Sequence, residues 1–327
     1  METTPVKPYR MDIPRWKDVL EAHVRISSLV RRTPVFTSSS INKLTGSEIF
    51  FKCENLQKAG AFKYRGASNA VFSLDENEAR NGVATHSSGN HAAALALAAG
   101  KRGIKAHIVM PESSPQIKKD AVASYGAEIT FCESSLLARE SMLASVVEKT
   151  GALFIHPYSD FRVICGQASA AKELLEEIEK PDIILAPVGG GGLLSGTAIT
   201  VFNMSPETRV IAAEPKNADD AFRSFKTGVL QPPLKPNTVA DGLLTALSPL
   251  TFKIIKKYVD DIYCAEEESI VNAMRLIWER MKLVVEPSAA VPLAVMLENR
   301  GFFNGKRVGI ILTGGNADLE NLPFSRF

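Results

Sequence analysis

The chain has 327 residues, 45% of them hydrophobic and 23% charged, with a formal net charge of +2. That length is large for one hydrophobic core, so two lobes are expected, and the apolar fraction is enough to fill both. Interspersed acids and bases without a basic stripe argue against nucleic acid as a partner, and no apolar run approaches the roughly 20 residues that span a bilayer. Met1 to Pro14 reads as a loose polar arm without an apolar signal stretch, which points to a cytoplasmic protein. The cysteines Cys53, Cys132, Cys165 and Cys264 lie far apart, a spacing that suits reduced thiols better than a disulfide frame or a zinc site.

In chain order, Trp16 to Leu29 reads as an amphipathic helix, followed by the turn Arg31-Arg32-Thr33-Pro34. Glu48 to Cys53 is a buried strand, and helical spacing resumes from Gly66 to Leu74. Strands are expected at Gly82 to His86, Ala106 to Met110, Glu128 to Cys132 and Ala152 to His156, with helices at Asn90 to Lys101, Ser114 to Tyr125 and Leu136 to Thr150. This alternation predicts a small doubly wound lobe, closed by the turn Pro157-Tyr158-Ser159-Asp160. A second lobe follows, with helices at Gly166 to Ile178 and from the tetraglycine through Phe202, and strands at Asp182 to Val188 and Arg209 to Glu214. Phe225 to Asp241 reads as loop. Helices over Pro249 to Val259, Glu267 to Met281 and Pro287 to Asn299 precede a last buried strand, Arg307 to Leu312. The acids Glu266, Glu267 and Glu268 read as a solvated helix start.

Three segments carry chemistry. In Gln57 to Gly66, Lys63 sits behind an aromatic and a run of small residues. A lysine held against apolar neighbours loses hydration of its ammonium, so its pKa falls and the amine becomes a nucleophile or base, as a Schiff base requires. Gly189-Gly190-Gly191-Gly192 lies between a buried strand and a helix, where backbone N–H groups and the positive helix end cradle a phosphate. Ser87-Ser88-Gly89-Asn90-His91 also stands between strand and helix and offers hydroxyls and free amides to a carboxylate. Each has a plain alternative: a surface lysine, a tight turn, a serine cap beside a buried histidine. Together they suggest pyridoxal phosphate acting on an amino acid. Thr313-Gly314-Gly315-Asn316 ends the last buried strand, where ligands of open α/β sheets bind, and its threonine hydroxyl is placed to meet a pyridine nitrogen. Glu214 to Asp220 offers the oxygen ligands that Mg²⁺ or Ca²⁺ prefer, or is simply a solvated acidic loop.

The same segments resemble one family, the fold-type II pyridoxal phosphate enzymes, and within it the serine racemases and related serine/threonine dehydratases. The matching stretches include Phe50 to Glu54, Ala61-Phe62-Lys63, His86 to His91, Pro187 to Gly192, Ala213 to Asp220, Ala240-Asp241-Gly242, Trp278 to Lys282, Glu286-Pro287 and Gly314-Gly315-Asn316. The resemblance implies an α/β fold of two doubly wound open-sheet lobes, tryptophan synthase β-like. A large cofactor-binding domain is expected over residues 1–70 and 162–327, and a small closing domain over 71–161.

By the resemblance, Lys63 carries the cofactor, Phe62 and Asn90 contact its ring, Gly189 to Gly192 with Leu193 bind its phosphate, and Thr313 faces the pyridine nitrogen. Ser88 matches the acid and base on the face opposite the lysine. Ser87, Asn90, His91, Arg139 and Thr245 fall on the substrate side. Glu214, the Ala218 carbonyl and Asp220 match a divalent metal site for Mg²⁺, or Ca²⁺ or Mn²⁺. A homodimer is implied. Ala59 and Ala93 replace polar residues that contact ATP in the mammalian-type enzymes, although Lys58, Tyr125 and Asn316 are kept, so ATP activation is not carried over. Tyr158 stands where mammalian racemases have asparagine.

The expected activity is serine racemisation with accompanying β-elimination of serine or threonine to a 2-keto acid and ammonia. A dedicated hydroxyamino-acid ammonia-lyase, including one for threo-3-hydroxyaspartate, stays open. So does a non-catalytic protein that binds amino acid or cofactor. An NAD-dependent oxidoreductase is disfavoured, because no G-x-G-x-x-G follows an early strand.

Overall fold

The computed structural model describes residues 12–325 apart from Ser88 and Pro115. Its strands are β1 (Val35–Phe36), β2 (Glu48–Cys53), β3 (Val83–His86), β4 (Ala106–Pro111), β5 (Glu128–Cys132), β6 (Leu153–Phe154), β7 (Ile183–Pro187), β8 (Arg209–Pro215), β9 (Asp261–Ala265) and β10 (Arg307–Leu312). They form two sheets. The larger has the order β1-β2-β10-β7-β8-β9 and is parallel except for the short antiparallel pair β1–β2. The smaller, β5-β4-β3-β6, is parallel throughout. This is the α/β architecture expected of fold-type II enzymes.

Parallel sheets need cover on both faces, and the side chains divide accordingly. Along β7, Ile183 and Leu185 join the core beneath the helix Pro287–Glu298, while Ile184 and Ala186 face the helices Phe161–Glu177 and Gly192–Met204. In the smaller sheet, Ile108 and Met110 of β4 meet the helices Lys63–Phe72 and Asn90–Arg102, and Val109 meets Leu136–Thr150. The last strand, β10, inserts between β2 and β7. Its end therefore lies beside residues about 260 positions earlier, as the register Leu312 to Cys53 records.

One ionic cluster is fully enclosed. Arg65 donates from Nε and Nη2 to the Glu54 carboxylate at 2.7 and 2.8 Å, and from Nη1 and Nη2 to the Glu173 carboxylate, both at 2.7 Å. Lys52 joins it through Glu173 at 2.8 Å and the Thr33 carbonyl at 2.6 Å. Arg65, Lys52 and Glu54 are completely buried. The cluster ties the exit of β2 to the helices Lys63–Phe72 and Phe161–Glu177.

Several boundaries differ from the sequence reading. The first helix stops at Ile26, and Phe161–Glu177 starts five residues before the expected Gly166, because Asp160 caps it by accepting from the Arg162 and Val163 amides. β9 and β1 were not anticipated, nor was the helix Asp220–Thr227 that begins the expected loop region. The helix expected to run through Met281 changes to a π-helical turn at Ile277–Met281 and ends at Lys282 with φ 57°. Glu267 is not a solvated acid: it accepts from the Val239 amide at 2.8 Å and the Thr238 hydroxyl at 3.1 Å, pinning the preceding loop. The expected arm at residues 1–14 lies mostly outside the described residues. All four cysteines are free thiols, and among the described residues no helix is long and apolar enough to cross a membrane.

Removing one partner of a buried ion cluster strands the others without solvation. Arg65→Met is expected to lower unfolding stability by about 3–5 kcal/mol, read as a fall in the urea midpoint with an unchanged slope.

Candidate active site

Lys63 opens its helix directly after a chain crossing. The Phe62 amide donates to the Thr313 carbonyl at 2.9 Å, Gly315 donates to the Gly60 carbonyl at 2.9 Å, and Ala61 bridges Gly314. The approach to the lysine and the turn after β10 are thereby laid edge to edge. The Lys63 ammonium donates to the Pro157 carbonyl at 3.0 Å and stands 5.2 Å from the centre of the Phe62 ring. Burial pulls its pKa down to about 8, and Glu286 opposes part of that fall. A lysine so tuned supplies free amine near neutrality.

The tetraglycine follows β7 and starts the helix Gly192–Met204, as expected of a phosphate cradle. Gly191 has φ 84°, a conformation that side chains disfavour. At Gly190 an added methyl would lie 2.4 Å from the Tyr158 ring, so only glycine lets the loop lie flat against that ring. The Gly190 amide donates to Thr245 Oγ1 at 2.9 Å, which places the expected substrate residue Thr245 on the cradle itself. Leu193 is buried at the start of the helix. Thr313 is buried, and its hydroxyl has no hydrogen-bond partner, so the atom expected to meet a pyridine nitrogen is available to do so.

Asn90 donates from Nδ2 to both oxygens of Glu286, at 2.9 and 3.1 Å. Asn316 donates to Asn90 Oδ1 at 2.8 Å and to the Ala59 carbonyl at 2.9 Å. Burial, with Asp241 behind it, pushes the Glu286 carboxyl up to about 7. His91 is buried, with Nε2 donating to the Ile155 carbonyl at 3.3 Å and Nδ1 unpartnered. Burial and then Lys63 hold its pKa well below the usual histidine range. Ser87 accepts from the Gly89 amide at 3.4 Å, and Ser88 lies outside the described residues. Arg139, on the helix Leu136–Thr150, is half-buried, and its Nε has no hydrogen-bond partner. Its charge reaches His86 and Tyr158.

Glu214 and Asp220 are both buried, and Ala218 lies between them in the chain. Glu214 accepts from the Ala221 and Phe222 amides at 2.8 and 2.7 Å, yet burial still raises its pKa well above the carboxylate range. Asp220 is pushed up to about 6 by burial, and its Oδ2 has no partner. Two buried acids without a basic side chain bonded to either, one of them with an unused oxygen, suit a divalent cation. Among the described residues no three His, Cys, Asp or Glu side chains gather as a metal cluster, so such an ion would draw its remaining ligands from carbonyls and water.

Glu286, His156 and Pro157 were met in the sequence as parts of a matching stretch, a strand and a turn, but not as site residues. Glu286 precedes Pro287 and reads as an ordinary helix start; only the fold encloses its carboxylate. Pro157 contributes a carbonyl, which no side-chain motif reveals.

The chain matches the family described as "Pyridoxal-phosphate dependent enzyme" over residues 26–314. It is 55% identical to the beta-hydroxyaspartate dehydratase of Paracoccus denitrificans (strain Pd 1222), covering 96% of this chain and 100% of that one. It is 50% identical to the serine racemase of Dictyostelium discoideum, over 94% of this chain and 96% of the relative. The solved structure of maize serine racemase superposes with a TM-score of 0.93 at 44% identity, covering 96% of this chain and 97% of that one. With a glycine turn and an unpartnered threonine hydroxyl at the C-terminal ends of the neighbouring strands β7 and β10, and the lysine stretch bonded to the latter, these likenesses leave one assignment: the chain belongs to the pyridoxal-phosphate-dependent enzymes, among those of the amino-acid racemase or ammonia-lyase type.

Proposed function

We propose that the protein interconverts L- and D-serine and, at the same site, dehydrates serine and threonine to a 2-keto acid and ammonia. The observation that carries this reading is that the desolvated Lys63 amine and the unpartnered, neutral Thr313 hydroxyl lie on two stretches joined by the Phe62 amide to Thr313 carbonyl hydrogen bond, while the glycine turn ends β7, the strand next to β10. Pyridoxal phosphate, when bound, supplies the electron sink that makes an amino acid's Cα proton removable. Lys63 would hold the cofactor, and its amine would take the Cα proton of the substrate. With its pKa at about 8, the uncharged fraction of that amine grows as pH rises through the neutral range. Ser88 returns a proton to the opposite face. Phe62 and Asn90 would contact the cofactor ring, Gly189 to Leu193 would hold its phosphate, and Ser87, Asn90, His91 and Thr245 would orient the substrate. A neutral Thr313 cannot keep a ring nitrogen protonated as a carboxylate would, so loss of a β-hydroxyl competes with reprotonation.

A second reading has its own support. The unpartnered Arg139 Nε suits a substrate with a second carboxylate. A dedicated lyase for threo-3-hydroxyaspartate would use it, in line with the similarity to beta-hydroxyaspartate dehydratase. The proposal also takes residues 71–161 as a small domain that closes over the large domain of 1–70 and 162–327, in a cytoplasmic homodimer. Glu214, the Ala218 carbonyl and Asp220 hold the divalent cation.

Purified protein with pyridoxal phosphate and Mg²⁺ is to be given L-serine, L-threonine and L-threo-3-hydroxyaspartate separately, with keto acid and D-serine followed. D-serine together with pyruvate is expected, and Ser88→Ala should abolish racemisation while sparing dehydration of L-serine. Keto acid alone, fastest from hydroxyaspartate, overturns the racemase reading in favour of the lyase. Gly190→Ala forces a methyl into the Tyr158 ring; at about 1–3 kcal/mol for overpacking, cofactor affinity should weaken by about fivefold to 150-fold. Chelation should lower the melting temperature and Mg²⁺ restore it, and Asp220→Ala should remove that response.

A further inference from the structure

The turn His156-Pro157-Tyr158-Ser159 touches both halves of the site, and one side chain shapes it. His156 Nδ1 accepts hydrogen bonds from the Ser159 amide at 3.0 Å and the Tyr158 amide at 3.3 Å. This is the arrangement by which an aspartate or asparagine side chain closes a turn on its own backbone, here made by an imidazole. The bend presents the Pro157 carbonyl to Lys63 Nζ at 3.0 Å. It also sets the Tyr158 ring against Gly190 and the Tyr158 backbone against Gly192. Above it, the His156 ring meets Tyr158 edge-on at 4.5 Å and Phe154 at 5.7 Å.

We infer that His156 is a positioning residue for Lys63: its unprotonated Nδ1 closes the turn that aims the Pro157 carbonyl at the lysine and lays Tyr158 on the glycine cradle. The inference rests on the proposed role of Lys63. Only a neutral imidazole can accept both amides, since a proton on Nδ1 would face two N–H groups. The surroundings enforce that state: burial lowers the His156 pKa to about 4, His86 and Lys63 push the same way, and Asp160 opposes them.

Two substitutions separate the ring from the acceptor. His156→Asn keeps an acceptor at the same place in the turn and discards the ring. His156→Phe keeps the ring contacts with Tyr158 and Phe154 and discards the acceptor. Each full-length variant is stripped of cofactor and reloaded with pyridoxal phosphate, and the rate of Schiff-base formation is followed against pH to read the Lys63 amine. In His156→Phe the midpoint should fall below the wild-type value, because the ammonium has lost its carbonyl. The kcat of the reloaded enzyme should drop by about tenfold to a hundredfold, the scale of a misplaced catalytic group, with KM little changed. His156→Asn should stay close to wild type on both measures.

An unchanged His156→Phe overturns the inference, and so does an equal loss in the two variants, which would assign His156 to packing alone. Borohydride reduction of the loaded wild type, followed by peptide mapping, keeps the two readings apart. Cofactor missing from Lys63 there refutes the proposed lysine itself, whereas a labelled Lys63 with an unaltered His156→Phe refutes only the positioning role.

Discussion

The Arg65 guanidinium, clamped between Glu54 and Glu173 without access to water, is the constraint on which the site depends. Such a cluster adds little net stability over well-packed apolar residues, since desolvation cancels much of the attraction. What it adds is direction. A planar fork satisfied by two carboxylates permits one mutual placement of the three elements that carry them. Lys63 stands two residues before Arg65, so its helix start inherits that placement. On the other side the Phe62 amide, bonded to the Thr313 carbonyl, holds the same two residues against the end of β10.

The charges around Lys63 are arranged by enclosure rather than by pairing. Burial brings the lysine down to about 8 and Glu286 up to about 7, and it keeps His156 and His91 neutral. Groups driven toward neutrality from both directions are what proton transfer near neutral pH requires. The buried pair Glu214 and Asp220 follows a different logic. Both are acids, both are pushed upward by burial, and among the described residues no basic side chain bonds to either, Arg223 acting on Asp220 only through its charge, so a cation would relieve an electrostatic cost there.

Much of this was legible in the residues. The strands β2, β5 and β10 and the helix Leu136–Thr150 begin and end where the apolar pattern said they would, because each is bounded by turn residues or a capping serine. The tetraglycine declared itself between an apolar run and a helix, and Lys63 by its small and aromatic neighbours. Other features left no local trace. The two residues of β1 are a strand only because β2 offers an edge, and β9 exists because β8 leaves one open. The π-helical turn at Ile277–Met281 lies within a pattern that reads as plain α-helix.

Local chemistry in the sequence therefore determined which elements form and which side chains are fit to hold a phosphate, a ring nitrogen and a reactive amine. Periodicity, glycine runs and residue type are properties of neighbouring positions. Tertiary structure alone decided that Glu286 would be enclosed and bonded by Asn90, that the Pro157 carbonyl would meet the Lys63 ammonium, and that Thr245 would bond the glycine loop. Those contacts join residues from 55 to 196 positions apart. Which segments meet depends on the strand order, with β10 between β2 and β7 in one sheet and β3 beside β6 in the other, and the pattern of any single segment cannot specify that.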